Sequence, residues 1–93
     1  MQRQASLLTI RGRVQGVSYR LWAQQQAQRL GLDGWVRNRM DGSVELLAIG
    51  LEPAIAQLIR ACNRGPPIAA VSEVERAMAE DDGSLGFQLL PTA

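Results

Sequence analysis

Leu8 and Ile10 alternate with Thr9 and Arg11, the period of two that marks a half-buried strand, placed at about residues 6–13. Beyond Gly16 the period changes. Tyr19, Trp22, Ala23, Ala27 and Leu30 recur at spacings of three and four, which predicts a helix whose wet face takes most of Gln24-Gln25-Gln26 and Gln28. Ser18 is placed to cap its start and Gly31 to end it in a left-handed residue. Gly34-Trp-Val-Arg-Asn38 and Val44-Glu-Leu-Leu-Ala-Ile49 flank Asp41-Gly42 and predict a hairpin. Leu51, Ile55, Leu58, Ile59 and Cys62 return to helical spacing, with Pro53 suited to the first turn and Asn63-Arg-Gly-Pro-Pro67 stopping the segment. Residues 70–78 predict a strand in which the Val71/Val74 spacing breaks alternation and points to a bulge. Glu80-Asp-Asp-Gly-Ser84 predicts a turn, and Gly86-Phe-Gln-Leu-Leu90 a short closing strand.

The order β-α-β-β-α-β with a short extra strand predicts one α+β domain over residues 1–93, with two helices on one face of an antiparallel sheet. Right-handed crossovers make the first and third strands central neighbours, a ferredoxin-like arrangement. Val44, Leu46 and Ala48 then share the helix-covered face, leaving Leu47 and Ile49 on the other. The expectation is that the last strand and its flanking loop cover this patch, so that the chain is a monomer; the other reading is a dimer contact.

A hydrophobic content of 46% and a charged content of 20% are ordinary for a soluble globular fold. No apolar run approaches the ~20 residues of a membrane span, and the N-terminal stretch has no cleavage pattern, so a cytoplasmic location is expected. Histidine is absent, which removes the usual general base at neutral pH and the commonest zinc ligand. The single cysteine, Cys62, falls on a helix's apolar face and is expected to be buried and unreactive. All ten basic residues are arginine. Seven stand in residues 1–39 against one acid, Asp33, for a net +6, while residues 40–93 carry three against eight acids, for a net −5. The chain therefore lacks the overall charge of a nucleic-acid binder, while its first half suits a small anion. Glu80-Asp81-Asp82 resembles a hard-cation cluster, but adjacent side chains in a turn point apart; a solvated turn is expected, with neither metal nor cofactor.

The richest stretch is Gly12-Arg-Val-Gln-Gly-Val-Ser-Tyr-Arg20, which joins the first strand to the first helix. A helix start offers four N–H groups without internal partners and about half a positive charge from the macrodipole. Gly16 permits an unusual backbone and close approach of an anion to the amides. Arg20, in the first helical turn, adds a guanidinium fork suited to phosphate or carboxylate oxygens. An anion site is one reading, and a packing turn that happens to contain Gly and Arg is the other.

GRVQGVSYR, followed by LGLDGWVRNRMDGSVE at 30–45 and GPPIAAV at 65–71, resembles the acylphosphatase family over about residues 7–89. The resemblance implies a ferredoxin-like fold and metal-free hydrolysis of the carboxyl-phosphate bond of a small acyl phosphate, releasing inorganic phosphate. It assigns phosphate binding to the amides of the loop Gln15, Gly16, Val17, Ser18, Tyr19 and Arg20, the grip to the Arg20 side chain, and positioning of the attacking water to Asn38. Two positions depart from the family's usual residues. Tyr19 stands where phenylalanine is common, and its hydroxyl needs a partner or solvent. Ser18 occupies a variable position, where it serves either as N-cap or as a hydroxyl donor to phosphate, the cap being simpler. Arg13, Arg37 and Arg39 either steer anionic substrates or are ordinary surface charge.

Two other functions fit the fold. An RNA-binding ferredoxin-like module stacks bases on sheet aromatics and carries a basic, aromatic central strand, and the third strand, VELLAI, has neither. An acylphosphatase-like domain also opens the large carbamoyltransferase of hydrogenase maturation, where it handles phosphate or carbamoyl phosphate as an accessory unit; a chain of 93 residues favours the small hydrolase.

Overall fold

A computed structural model describes residues 2–93. The elements are β1 (Arg3–Arg13), α1 (Tyr19–Arg29), β2 (Asp33–Asn38), β3 (Val44–Leu51), α2 (Glu52–Arg64), β4 (Ala70–Met78) and β5 (Phe87–Leu89). The sheet order is β4-β1-β3-β2-β5, so β1 and β3 are the central pair of a ferredoxin-like α+β fold, as expected. Leu8, Ile10, Val36, Val44, Leu46 and Ala48 meet Tyr19, Ala23 and Ala27 of α1 and Ile55, Leu58 and Cys62 of α2 in one core. Cys62 is fully buried, and burial pushes its thiol up to about 11, which keeps it protonated and inert. Among the described residues no helix is long and apolar enough to cross a membrane.

Two boundaries and one strand direction differ from the sequence expectation. β1 begins at Arg3, because Arg3 pairs with Leu51 in the ladder and its guanidinium reaches Asp33 at 2.8 Å and Asp81 at 3.0 Å. Leu51 belongs to β3 and is 47% exposed, so it contributes nothing to the apolar stripe of α2. The sheet is mixed: β5 runs parallel to β2, with Gly34 opposite Phe87 and Val36 opposite Leu89, where an antiparallel arrangement was expected.

The parallel pairing follows from the path of residues 79–86. Ala79 N–H donates to the Ala5 carbonyl, Asp81 holds Arg3, Asp82 accepts from the Trp35 indole at 3.0 Å, and Asp33 accepts from the Gly86 N–H at 2.8 Å. Trp35 lies opposite Leu47, so these bonds carry the segment over the helix-free face from the β4 edge to the β2 edge. It arrives where β2 begins and must then run in the same direction. Leu47 and Ile49 are buried on that face, at 4% and 0% exposure. The acidic stretch is exposed, as expected, but it is a strap fixed by specific partners and not a free turn.

The bulge is present. Arg11 pairs with Glu73 but Gly12 with Val71, leaving Ser72 as the extra residue of β4. Gly12 sits at φ +124°, and a Cβ there would lie 2.2 Å from the Ala70 carbonyl oxygen, so only glycine permits this approach. The bulge turns the end of β1 toward the loop that follows.

Candidate active site

Between β1 and α1, Gly16 has φ +74° and Ser18 φ 59°. Alternation of left-handed with ordinary residues aims successive N–H groups to one side, the geometry of an anion-binding nest. Nothing lies within 4 Å of the position a Gly16 Cβ would take, so its glycine is required by backbone conformation, with open space beside it. Ser18 holds the N-cap position of α1, and its carbonyl accepts from Trp22 N–H at 3.1 Å. Its side chain makes no capping hydrogen bond, because a left-handed N-cap lacks the extended backbone from which a hydroxyl reaches the first-turn amides. The expected cap is absent, and Ser18 instead lines a cleft.

That cleft has a volume of about 400 Å³, and its walls bring together Gly16, Ser18, Tyr19, Arg20, Asn38 and Leu89. Among the described residues no carboxylate lines it. Arg20 projects from the first turn of α1 and donates from Nη1 to the Leu90 carbonyl at 2.9 Å. Its other N–H groups keep the planar fork available. Asn38 ends β2, and its side-chain Oδ1 is buried without a hydrogen-bond partner among the described residues. Such a group costs about 1–3 kcal/mol, and folded proteins carry few of them.

The side chains at the other predicted positions make other contacts. The Gln15 side chain points away from the cleft; Nε2 donates to the carbonyls of Arg39 and Ser43, both at 2.8 Å. It ties the loop to the β2–β3 turn, which Asp41 fixes by accepting from Ser43 N–H at 2.9 Å. Loop and Asn38 are thereby held in one register. Val17 faces a neighbouring hollow. The Tyr19 ring is 1% exposed, and its hydroxyl donates to the Cys62 carbonyl at 2.7 Å, a bond contributing about 1 kcal/mol. Its partner is therefore the core, and desolvation holds the phenol well above its usual range. Arg37 and Arg39 both reach Glu45, at 2.7 and 3.3 Å, and Arg37 lies 4.7 Å over the Trp35 ring, so their charge is engaged on the open sheet face.

Sequence reasoning misses the part played by the end of the chain. Leu90 N–H donates to the Val36 carbonyl and Ala93 N–H to the Asn38 carbonyl, so residues 90–93 continue along β2 past the site. Gln24, read as wet-face surface, donates to the Phe87 carbonyl at 2.9 Å and fastens α1 to β5. These are main-chain acceptors, and no residue type announces them in advance. Only the closing strand at 86–90 hinted that something would lie alongside β2.

The fold and cleft define a small ferredoxin-like α+β domain with an arginine and an unpaired amide beside a strand-loop-helix nest. A family model for acylphosphatase matches residues 7–89, and the acylphosphatase of Azoarcus sp. (strain BH72) is 56% identical over 95% of this chain and 90% of its own length. The chain belongs to the acylphosphatase family and is a hydrolase of that family. It is also similar to the crystal structure of acylphosphatase from Bacillus subtilis, at 33% identity and a TM-score of 0.90, covering 96% of this chain and 99% of that one. Full-length HypF in a phosphate- and nucleotide-bound form matches with a TM-score of 0.91 and 27% identity, over 98% of this chain but 12% of that one.

Proposed function

We propose that the cleft hydrolyses acyl phosphates to a carboxylate and inorganic phosphate, with the amides of Gly16 to Arg20 and the Arg20 guanidinium holding the phosphoryl group and Asn38 holding the water. The observation that carries this reading is the shared cleft: a nest, a guanidinium and the Asn38 side chain line one space where, among the described residues, there is no carboxylate. The water's oxygen attacks phosphorus while the P–O bond to the acyl group breaks, and its electron pair leaves with the carboxylate. Because a carboxylate is a weakly basic leaving group, no general acid is needed, and a phosphate oxygen takes the water's proton. Phosphoryl transfer has a loose transition state in which catalysis is mostly positioning and charge stabilisation. The nest and Arg20 supply the stabilisation. Asn38 supplies the positioning, since its side-chain amide hydrogen-bonds water and, being neutral, does not repel phosphate.

The Ser18 hydroxyl, free of any capping bond, is a further donor to the phosphoryl oxygens. The cleft offers a cation no carboxylate, thiolate or imidazole, so the reaction is read as independent of metal. The same reading makes the chain a cytoplasmic monomer acting on a small substrate: Leu47 and Ile49, the residues suited to a second copy, already lie under its own strap.

The test is phosphate release from acetyl phosphate and from a phosphate monoester, with and without chelator. Chelator-insensitive cleavage of the first alone is expected. Folded protein that binds phosphate but cleaves neither would favour an accessory binding role.

A further inference from the structure

The outer faces of α1 and α2 enclose a hollow of about 310 Å³, with Gln26 and Arg29 on one wall and Gln57, Arg60 and Arg64 on the other. Arg3, Arg11, Arg37, Arg39 and Arg76 each pair with an acid. Arg29, Arg60 and Arg64 pair with none among the described residues, and no carboxylate lines the hollow there. A cation in the last turn of a helix is favourable by itself, which accounts for Arg29 and Arg64 taken singly. It does not account for their gathering around one space. Arg60 and Arg64 stand one turn apart on the same face of α2, where like charges oppose the helix. The whole chain has a net charge of only +1, so this face is far more positive than the rest of the molecule.

We propose that this groove is a second anion site, separate from the cleft, and that it takes a compact oligophosphate, a run of two or three linked phosphates either free or carried by a nucleotide. Each guanidinium offers a planar fork that matches a pair of phosphate oxygens, and the Gln26 and Gln57 amides add neutral donors. An oligophosphate brings several charged groups to forks on both walls, where orthophosphate brings one. The volume is at the small end of ligand pockets, which suits a compact ligand over a macromolecule. Among the described residues no aromatic ring lines the groove, so a single-stranded nucleic acid finds no face on which to stack its bases. Arg29 stands nine residues along α1 from Arg20, about 14 Å at the helical rise. The groove can therefore fill while the cleft turns over.

The experiment titrates tripolyphosphate, a nucleoside triphosphate, orthophosphate and an oligouridylate into the folded protein at constant ionic strength, following the side-chain Nε–H signals of Arg29, Arg60 and Arg64 by NMR. Saturable shifts at all three are expected, fitting one dissociation constant that is about tenfold or more tighter for tripolyphosphate than for orthophosphate. A nucleoside triphosphate that binds at least as tightly makes a nucleotide the source of the phosphates; weaker binding makes it the free chain. Arg60→Gln combined with Arg64→Gln weakens tripolyphosphate binding, read at Arg29, about tenfold or more, the effect of losing charge-assisted hydrogen bonds. The same variant keeps kcat/KM for acetyl phosphate within about twofold, and its Tm is held or raised because like charges are removed, so lost binding is not lost fold. Arginine shifts that do not saturate, or that are as large for orthophosphate, report an ordinary counterion atmosphere and overturn the site. Tighter binding of the oligouridylate than of tripolyphosphate overturns it in favour of a nucleic-acid surface. Each of these results leaves the hydrolase reading untouched.

Discussion

Arg20→Ala lowers kcat/KM for acetyl phosphate about a thousandfold or more in a protein that still folds. Losing one preorganised donor at a developing charge costs about 10²–10³ in kcat in other enzymes, and Arg20 presents a fork where a single donor has one hydrogen. The structural cost is small by comparison: one bond from Nη1 to the Leu90 carbonyl, about 1 kcal/mol. A thermal melt on the same preparation therefore separates loss of chemistry from loss of fold. Arg20→Lys should recover less than about a tenth of the activity, because an ammonium is a point charge that cannot hold Leu90 and two phosphoryl oxygens in one plane. Full recovery by lysine would reduce Arg20 to a source of positive field.

Asn38→Ala separates positioning from binding. Its kcat falls about 10²–10³, in the range of a lost oriented group, while the inhibition constant of inorganic phosphate changes by no more than about threefold. The reason is local: in the proposed mechanism phosphate rests on the loop and Arg20, and the asparagine acts on the water. Stability is held or rises, since the substitution deletes a buried oxygen with no partner in the folded chain, a group costing about 1–3 kcal/mol. A protein that keeps a costly acceptor at its cleft and gains stability when it is removed has a use for it. Equal losses in kcat and phosphate affinity would assign Asn38 to binding instead.

Part of the cleft was legible from local rules and part from the family resemblance. Hydrophobic periodicity placed the first strand and both helices, β-prone runs and turn residues placed the next three strands, the strand-loop-helix pattern pointed to Gly16 and Arg20, and the resemblance to acylphosphatase brought in Asn38. What holds those residues in place was hidden. The Leu90 carbonyl that anchors Arg20 is a main-chain group available at almost any residue. Gln15 was assigned to the phosphate loop, but the two turn carbonyls that capture its side chain come from residues 39 and 43. The direction of β5 depended on which way residues 79–86 crossed the sheet, and that was decided by Asp33, Asp81 and Asp82 finding partners on other strands. Ser18 has the residue type of an N-cap, but the left-handed backbone required by the nest overrode that preference. In each case a tertiary contact or a backbone conformation, invisible to periodicity, determined the outcome.

The proposed function requires the loop amides and Arg20 to form one phosphate cradle with Asn38 beside it. Backbone and side-chain amide NMR shifts recorded while inorganic phosphate is titrated into the folded protein test it most directly. Saturable shifts are expected at Gly16, Val17, Ser18, Tyr19 and Arg20, joined by the Asn38 side-chain amide, all fitting one dissociation constant. Shifts confined to the exposed helix arginines Arg29, Arg60 and Arg64, with the loop amides unmoved, would contradict it.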